Sequence, residues 1–357
     1  MAMSSDERTD RVLVLAAGDL VGQGIIEALR CAQRAYWIEA ACIVAESPGL
    51  YLADAAYLSP LAKDPAFPEW LAETCARRQI GIVLAGQEDV LEALALHRQQ
   101  IERTSGVVVG VDEYSRLRLA RDKLRMYEVL RRDGLPTPAT VSCDDAAGVA
   151  ALIGRYGPPW VVKPRFGAGS SGVTFPTSVD ELSRWEGDGA VILQQFVAAG
   201  PPELSVACLC SRSNRLVGAV AIERRLRSGT SAWARLLRCH TRASSLASQV
   251  CALLEVTGPC NVQLRPAPDG TLYCHDVNLR FSSMVGLRAQ AGFNDAAAAV
   301  EMWLGRDAQL STDGVREDVA VRSLTTQWHD ARLTGELRAG ATINPRHGRH
   351  DPLPRRP

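Results

Sequence analysis

Residues 160–173 read Trp-Val-Val-Lys-Pro-Arg-Phe-Gly-Ala-Gly-Ser-Ser-Gly-Val, and they indicate the fold more clearly than any other stretch. A short apolar strand ends at Lys163, a loop of small residues follows, and Val173-Thr174-Phe175 has the pattern of a second strand. Such a loop exposes backbone N–H groups and can fold over a polyphosphate. Three of the 40 basic residues are lysine, at Lys63, Lys123 and Lys163, so a compact ammonium stands beside this loop in an otherwise arginine-rich chain.

Other glycine-rich loops fit these residues less well. Gly167-x-Gly169-x-x-Gly172 matches the dinucleotide fingerprint, but that motif needs a helix directly after it. Here a β-branched segment follows, and the next helix signal is the capping box Ser178-x-x-Glu181. The protein-kinase loop has its lysine downstream, and the P-loop ending Gly-Lys-Ser/Thr is absent. A hairpin loop with an upstream lysine remains, either over a phosphate or without any ligand.

The composition limits the class of protein. The chain has 357 residues, 46% hydrophobic and 22% charged, which suits a globular protein of two or three domains. Its formal net charge is zero, which argues against nucleic acid as a partner. The sequence has no signal-peptide pattern and no apolar run of membrane-spanning length, so we expect a cytoplasmic protein without a membrane partner. Ten cysteines without a CxxC pair predict buried free thiols, and neither zinc nor disulfides.

Residues 11–115 alternate strand and helix signals, which predicts a parallel sheet with helices on both faces. The predicted strands are 11–16, 39–46, 80–85 and 107–110, and the predicted helices are 25–35, 68–78 and 89–103. The turn Gly18-x-x-x-Gly22-x-Gly24 has the wrong spacing for a dinucleotide site. It is better explained as a tight turn or as a surface for a second substrate.

The remaining chain divides by its helix stops and turns. Residues 116–138 predict one amphipathic helix, ended by Gly134 and two prolines. Two small α+β units follow, at about 140–190 and 191–307. Beyond Thr326 the pattern decays, and the basic, proline-containing tail from Arg346 is expected to be disordered.

A second informative stretch predicts a hairpin made of residues 258–264 and 273–281. Asp276, Asn278 and Arg280 alternate on one face, and Gln263 on the partner strand can face the same side. Carboxylate and amide oxygens are ligands that Mg²⁺ accepts when phosphates complete its shell. Arg280 lies one step further along and suits a phosphate or a carboxylate. A solvated strand face with polar alternation is the other interpretation.

Two further segments could meet a substrate. In residues 223–230, alternation puts Arg225 and Arg227 on one face, before a glycine-containing loop that could close over an anion. A solvated strand edge explains the same pattern. Glu88, after the strand 80–85, could present a carboxylate to a substrate ammonium, or it could serve in helix capping.

These elements, in this order, resemble the ATP-grasp superfamily. The resemblance is greatest to stand-alone relatives of the carbamoyl phosphate synthase large subunit, which include carboxylate–amine ligases of the pyrrolysine-pathway type. It covers about residues 10–307. It implies an α/β N-terminal domain with a parallel sheet, the pre-ATP-grasp domain (1–115), followed by two α+β ATP-grasp subdomains. Subdomain A (116–190) would carry the phosphate-loop hairpin, subdomain B (191–310) the hinge and the metal site, and 311–357 would be a C-terminal extension.

The resemblance assigns roles to residues that match the superfamily's motifs. The ATP-binding residues would be Lys123, Lys163, Gly167, Gly169, Ser170, Ser171, Gly172, Gln194, Gln195, Phe196, Val197 and Glu203, with Glu203 on the ribose. The metal ligands would be Gln263, Asp276 and Asn278. Two positions depart from the superfamily: Gln195 replaces an acidic hinge residue, and Asp276 replaces a glutamate.

The resemblance also implies a reaction. It predicts an ATP-dependent carboxylate–amine ligase that forms an acylphosphate on a small molecule, such as an amino acid, and releases ADP and phosphate. Arg280 and Lys163 would be catalytic, and one or two Mg²⁺ ions, or Mn²⁺, would accompany the nucleotide. The partners would be a small carboxylate and an amine, and a homodimer through the first domain is compatible with the superfamily. The alternatives are bicarbonate-activating carbamoyl or carboxyl transfer, disfavoured by the single grasp unit, and a non-catalytic nucleotide-binding regulator.

Overall fold

The computed structural model describes residues 10–167, 171–198, 202–227, 229–323 and 326–345. Two predicted loop residues, Gly169 and Ser170, lie outside the described residues, as does the tail from Arg346.

The first layer of the fold is a parallel five-stranded sheet, in the order β3-β2-β1-β4-β5. Its strands are β1 (Arg11–Leu15), β2 (Trp37–Cys42), β3 (Ala55–Leu58), β4 (Ile82–Ala85) and β5 (Val108–Val109). Helices α1 (Leu20–Arg30), α2 (Phe67–Arg78) and α3 (Glu88–Ser105) connect them. Val12 and Val14 pack with α1, whereas Leu13 and Leu15 pack on the α2 and α3 side. The predicted doubly covered parallel sheet is therefore confirmed, although β3 was not among the predicted strands.

The single helix predicted over 116–138 is wrong, because Asp122 divides it into α4 (Tyr114–Arg121) and α5 (Lys123–Arg132). Asp122 has extended backbone angles (φ −88°, ψ 95°), and its side chain accepts a hydrogen bond from the Arg125 amide at 3.2 Å. Aspartate favours this N-cap conformation. A bidentate ion pair with Arg165, at 2.8 and 2.7 Å, fixes the carboxylate. The break makes Lys123 the first residue of a helix.

A three-stranded antiparallel sheet follows, in the order β6-β8-β7. It contains β6 (Thr140–Ser142), β7 (Trp160–Pro164) and β8 (Val191–Gln195), with α6 (Ala146–Arg155) and the short α7 (Val179–Leu182) beside it. The predicted second strand after the glycine-rich loop is reduced to one bridge, between Val162 and Thr174. The predicted boundary at 190/191 assigns β8 to the following unit, whereas its hydrogen bonds join it to β6 and β7.

The third sheet is antiparallel and six-stranded, in the order β13-β12-β9-β10-β11-β14. Its strands are β9 (Glu203–Cys210), β10 (Leu216–Arg227), β11 (Thr230–Leu237), β12 (Gly258–Pro266), β13 (Leu272–Asn278) and β14 (Val319–Val321). Helix α8 (Thr241–Leu253) packs on it, and α9 (Val285–Gln290) and α10 (Asp295–Trp303) follow β13. The predicted hairpin is confirmed as β12 and β13, with Gln263 directly opposite Asp276.

The sequence pattern decays beyond Thr326, yet residues 326–345 contain regular structure. Helix α11 (Ala331–Arg338) forms there, and Ile343 bridges to Ala56 of β3. Leu337 and Ile343 are buried, so this segment returns to the edge of the first sheet. Tertiary packing orders this segment, and its two buried apolar residues are too few to make that packing predictable from the sequence.

All ten cysteines are free thiols, and eight are buried, with Cys31 and Cys239 exposed. Within the described ranges, no helix has the length and apolar character needed to cross a membrane.

Candidate active site

A cavity of about 400 Å³ is lined by residues of both antiparallel sheets, a volume suited to a small-molecule ligand. It gathers most of the residues assigned to the nucleotide and the metal: Lys123, Lys163, Gly167, Ser171, Gln194, Gln195, Phe196, Val197, Glu203, Gln263 and Asp276. Gly172 lies beside Pro164 with a φ of +72° and is not among the lining residues.

Lys123 connects the start of the glycine-rich loop to the first turn of α5 by two hydrogen bonds. Its Nζ donates to the Gly167 carbonyl at 2.6 Å, and its backbone N–H donates to the Arg165 carbonyl at 3.1 Å. Gly167 has a φ of +130°, a backbone conformation that other residues rarely adopt. A lysine at a helix N-terminus, below a loop of small residues, favours an anion at this place.

Lys163 is buried at the end of β7, where its Nζ lies 3.4 Å from the His275 carbonyl oxygen. Burial lowers its pKa to about 8, although the nearby Asp276 carboxylate opposes that shift. Burial alone would raise the pKa of Asp276, but Lys163, Lys123 and His275 together hold it below its ordinary value. The pair therefore places an ionised carboxylate beside a lysine ammonium that loses its proton at a lower pH than an ordinary lysine does.

The side chains of the two hinge glutamines, Gln194 and Gln195, each form a hydrogen bond to a neighbouring part of the three-stranded sheet. Gln194 donates to the Thr140 hydroxyl at 2.8 Å, and the Gln195 side-chain oxygen accepts from the Ala139 amide at 3.2 Å. Both side chains are thus engaged with β6 and the residue before it. Gln195 thus keeps an acceptor oxygen where the superfamily has an acid, and Phe196 and Val197 line the cavity beyond the strand end.

Glu203 is surrounded by basic groups. Oε1 accepts from Arg224 Nε at 2.9 Å, Oε2 accepts from Arg265 Nη2 at 2.9 Å, and His275 Nε2 is 3.7 Å away. Burial would raise the pKa of Glu203, but His275 and Arg224 outweigh it and hold the carboxyl well below its ordinary value. Neither arginine was singled out from the sequence, because their partner lies on a neighbouring strand.

The basic face of β10 differs from the predicted one. Arg224 and Leu226 line the cavity, whereas Arg225 and Arg227 do not. Arg224 lies opposite Glu203 in the β9–β10 register, and a bulge separates Arg225 from Leu226. The Arg225 guanidinium instead lies over the Trp233 ring, 5.1 Å from its centroid. Simple alternation could identify a basic strand but could not tell which arginine faces the cavity.

The three predicted metal-ligating residues lie on the paired strands β12 and β13. Asn278 Nδ2 donates to Asp276 Oδ2 at 2.8 Å, and Gln263 Oε1 accepts from Arg224 Nη2 at 2.7 Å. Over the described residues, no three His, Cys, Asp or Glu side chains cluster in a way that could hold a metal. The carboxylate oxygens of Asp276 fit a hard cation whose remaining ligands come from phosphates and water.

A smaller neighbouring cavity brings Arg280 and Glu88 together and shares Lys123, Gly167 and Asp276 with the first. Arg280 Nη2 lies 3.2 Å from Glu88 Oε1 and 3.1 Å from Asn278 Oδ1. The cap of α3 is Gln87, whose side chain accepts from the Val90 amide at 2.9 Å, so Glu88 is not needed for capping. Glu88 therefore faces the cavity wall that Arg280 occupies.

The chain is similar in sequence to known ATP-grasp proteins. Residues 191–327 match a family described as ATP-grasp in the biosynthetic pathway with Ter operon. The carbamoyl phosphate synthase large chain of Mycobacterium tuberculosis is 28% identical over 277 residues, 71% of this chain and 25% of that protein. This chain thus spans about a quarter of the length of such relatives. The D-alanine–D-alanine ligase of Ectopseudomonas mendocina is 35% identical over 96 residues, covering 26% of this chain and 30% of the ligase.

The structure is also similar to solved structures. An N5-carboxyaminoimidazole ribonucleotide synthetase in complex with ADP superposes with a TM-score of 0.70 at 18% identity. The match covers 92% of this chain and 84% of the synthetase. The chain therefore has the ATP-grasp fold, and the predicted fold class is confirmed.

Proposed function

We propose that this protein is an ATP-dependent carboxylate–amine ligase that forms an amide bond on a small molecule, such as an amino acid. The convergence of Lys123, Lys163 and Asp276 on one cavity carries the proposal. These groups lie beside a glycine-rich loop on one side and a hinge strand on the other. The complex of the structurally similar synthetase with ADP supports a nucleotide in this cavity.

The nucleotide would lie across the cavity from the hinge to the loop. Backbone groups of residues 194–197 would contact the adenine, and Glu203 would lie beside the ribose. Lys123, Lys163 and the loop 167–172 would surround the phosphates. The two lysines and the helix N-terminus at Lys123 together supply the positive potential that a triphosphate needs.

Asp276 would hold Mg²⁺. The ion, when bound, would neutralise part of the phosphate charge. Asp276 is ionised at neutral pH because its pKa lies below the ordinary value, so the site retains its negative charge without a bound cation.

The reaction needs charge and positioning more than it needs a protein nucleophile. A substrate carboxylate oxygen attacks the γ-phosphorus, and the bond to ADP breaks, giving an acylphosphate. The amine then attacks the acyl carbon, phosphate leaves with the acyl–oxygen electron pair, and the amine loses a proton to solvent. Lys163 would stabilise the transferring phosphoryl group. Arg280 would hold the acylphosphate, since a guanidinium can bridge two oxygens.

The substrates would bind where the second cavity joins the nucleotide cavity, at Lys123, Gly167 and Asp276. Arg280 would meet the reacting carboxylate, and Glu88 would accept a hydrogen bond from a substrate ammonium. Arg225 and Arg227 do not line the nucleotide cavity, so we give them a lesser role. They would contact the substrate only when the loop at Gly229, next to their strand, closes over it.

Bicarbonate activation is the second candidate, because the name of the structurally similar synthetase, N5-carboxyaminoimidazole ribonucleotide synthetase, describes an enzyme with a carboxylated product. The nucleotide cavity would be used in the same way, and bicarbonate would replace the substrate carboxylate.

The test is ADP and phosphate release from ATP and Mg²⁺, with pooled amino acids and small carboxylates in one arm and bicarbonate in another. Hydroxylamine is added to trap an acylphosphate as a hydroxamate. We expect ADP and a hydroxamate in the amino acid or carboxylate arm. AMP as the product would overturn the acylphosphate mechanism, and ADP with bicarbonate alone would favour the second candidate. ATP binding without turnover in either arm would favour a regulator.

A further inference from the structure

Arg224 places a fixed positive charge in the wall of the nucleotide cavity. Its side chain is 10% exposed, and it donates to Glu203 through Nε at 2.9 Å and to Gln263 through Nη2 at 2.7 Å. A guanidinium has donors only and remains charged at any pH that the fold survives. The charge therefore lies between the carboxylate of β9 and the amide of β12.

The Arg224 contact fixes the orientation of the Gln263 amide. If the amide were reversed, its NH₂ group would face the guanidinium and two donors would oppose each other. The oxygen must therefore point to Arg224. A divalent cation on that same oxygen would lie next to the guanidinium, and two cations at such a distance repel strongly in a partly buried site. Gln263 is therefore poorly suited to ligate a metal, although it lies directly opposite Asp276.

The carboxylate of Glu203 is already paired with basic side chains. One carboxylate oxygen is held by Arg224 and the other by Arg265. Among the described residues that line the cavity, Glu203 and Asp276 are the acids. The amide oxygen of Asn278 is likewise held by a guanidinium, since it accepts from Arg280 Nη2 at 3.1 Å. Asp276 is thus the group that remains for a divalent cation.

The charges in the cavity lead to the same result. Four lysine and arginine side chains line it (Lys123, Lys163, Arg224 and Arg265), against the two carboxylates, and His275 also lines it and adds to the positive charge when protonated. A triphosphate whose terminal group is doubly ionised carries about four negative charges near pH 7. With one Mg²⁺ ion the positive and negative charges balance, whereas a second ion leaves an excess of two positive charges in a partly buried site. Such an excess is costly where solvent screens poorly.

We infer that this chain binds one divalent cation with its nucleotide, at Asp276, and that Arg224 supplies the charge that a second cation would bring. The inference rests on the proposed use of ATP, and it revises the sequence-based assignment of Gln263 and Asn278 as metal ligands.

The test counts ions and does not depend on turnover. The protein is dialysed to equilibrium against Mn²⁺ and a non-hydrolysable ATP analogue, and bound Mn²⁺ and bound nucleotide are measured per chain. We expect one Mn²⁺ for each nucleotide bound. Two Mn²⁺ ions per nucleotide would overturn the inference while leaving ATP use intact. No bound nucleotide would instead overturn the proposed function.

Variants identify the residue responsible. Arg224→Gln combined with Gln263→Glu removes the guanidinium and provides a carboxylate, so we expect the count to rise to two Mn²⁺ per nucleotide. Arg224→Lys keeps the charge and should keep the count at one. Arg235→Gln is the matched control, since this arginine pairs with Glu223 on the neighbouring strand and its side chain is 45% exposed. A double variant that binds nucleotide with one Mn²⁺ would contradict the role of Arg224. The wild-type count decides the number of cations even if that variant does not fold.

Discussion

Arg280 and Glu88 form an ion pair between two parts of the chain that are 192 residues apart, with 3.2 Å between Nη2 and Oε1. Glu88 begins the helix after β4 of the parallel sheet, and Arg280 follows β13, the strand of Asp276 and Asn278. The guanidinium also donates to Asn278 Oδ1 at 3.1 Å. A group bound by Arg280 would therefore lie between the parallel sheet and the proposed cation site.

Replacement of Arg280 by alanine should separate catalysis from nucleotide binding. Because Arg280 lines the smaller cavity and not the larger one, ATP affinity should stay within about twofold, whereas product formation should fall by roughly 100-fold or more, as when an oxyanion-stabilising group is lost. Calorimetric ATP binding and hydroxamate formation measure the two effects. Equal losses in both would mean that Arg280 serves the nucleotide.

Lys163 should make nucleotide affinity depend on pH. Burial lowers the pKa of its ammonium to about 8, so the free protein loses this charge as the pH rises through that value. The dissociation constant of an ATP analogue should then rise by about tenfold between pH 7 and pH 9, since only the protonated lysine attracts phosphate. Lys163→Ala should bind weakly at both pH values, and Lys163→Arg should show little pH dependence because arginine stays charged. A wild-type affinity that does not change over this range would contradict the assignment.

Much of this site could be predicted from the sequence because it depends on strand alternation and one turn. A hairpin turn at residues 268–270, where Gly270 has a φ of +83°, pairs the two strands, and Asp276 and Asn278 follow simple alternation. Gln263 faces Asp276 because a bulge after the Leu264–Cys274 pair shifts the register by one residue, which the sequence does not indicate. The same alternation failed for β10, because the bulge after Arg225 and the attraction between Arg224 and Glu203 depend on a neighbouring strand.

Other features depend on partners far away in the chain. The break at Asp122 is stabilised by Arg165, 43 residues later, and its one local signal is an aspartate of the kind that serves as an N-cap. The segment beyond Thr326 is ordered by Ile343, which pairs with Ala56 at the opposite end of the sequence. The order of strands and helices is thus local information, whereas helix breaks and edge pairings depend on tertiary contacts.

Asp276→Asn should distinguish an enzyme from a regulator. The change removes the carboxylate proposed for the cation but keeps its shape, and Lys163 and Lys123 remain for the phosphates. We expect ADP release to fall by at least about 100-fold with nucleotide binding largely retained, since neutralisation of phosphoryl charge is lost. A coupled ADP assay and analogue binding, measured on the same preparation, provide the comparison. Unchanged turnover would rule out Asp276 as the cation ligand.

Asp295→Ala should destabilise the protein strongly. Arg288 and Asp295 are each 1% exposed at their side chains, and Arg288 also donates to the Ser282 hydroxyl at 2.9 Å. Removal of the aspartate leaves a buried positive charge without its partner, which costs about 3–5 kcal/mol of unfolding free energy. Urea denaturation measures the loss, and Arg288→Met with Asp295→Ala should recover most of it. The exposed pair of Arg316 and Asp318 provides the control: Asp318→Ala should change stability by less than about 1 kcal/mol.

Asp122 and Asp145 form a matched pair of helix caps that tests the role of the break before α5. Each side chain accepts a hydrogen bond from the backbone amide three residues later. Asp122 accepts from Arg125 at 3.2 Å, and Asp145 accepts from Gly148 at 2.9 Å. Replacement of either by alanine should lower the unfolding free energy by about 1 kcal/mol. Asp122 also holds Arg165, whose carbonyl accepts from the Lys123 amide, so its loss should additionally displace Lys123 from the loop.

The two variants should therefore differ in nucleotide affinity and not in stability alone. We expect Asp122→Ala to weaken binding of the ATP analogue by about tenfold, because the lysine ammonium and the helix N-terminus no longer converge on the phosphates. Asp145→Ala, at the start of α6 and away from the cavity lining, should bind the analogue like the wild type. If both variants lost affinity in proportion to their stability, the break at Asp122 would be only a feature of folding. A loss confined to Asp122→Ala would identify the ion pair with Arg165 as the contact that positions Lys123 for the nucleotide.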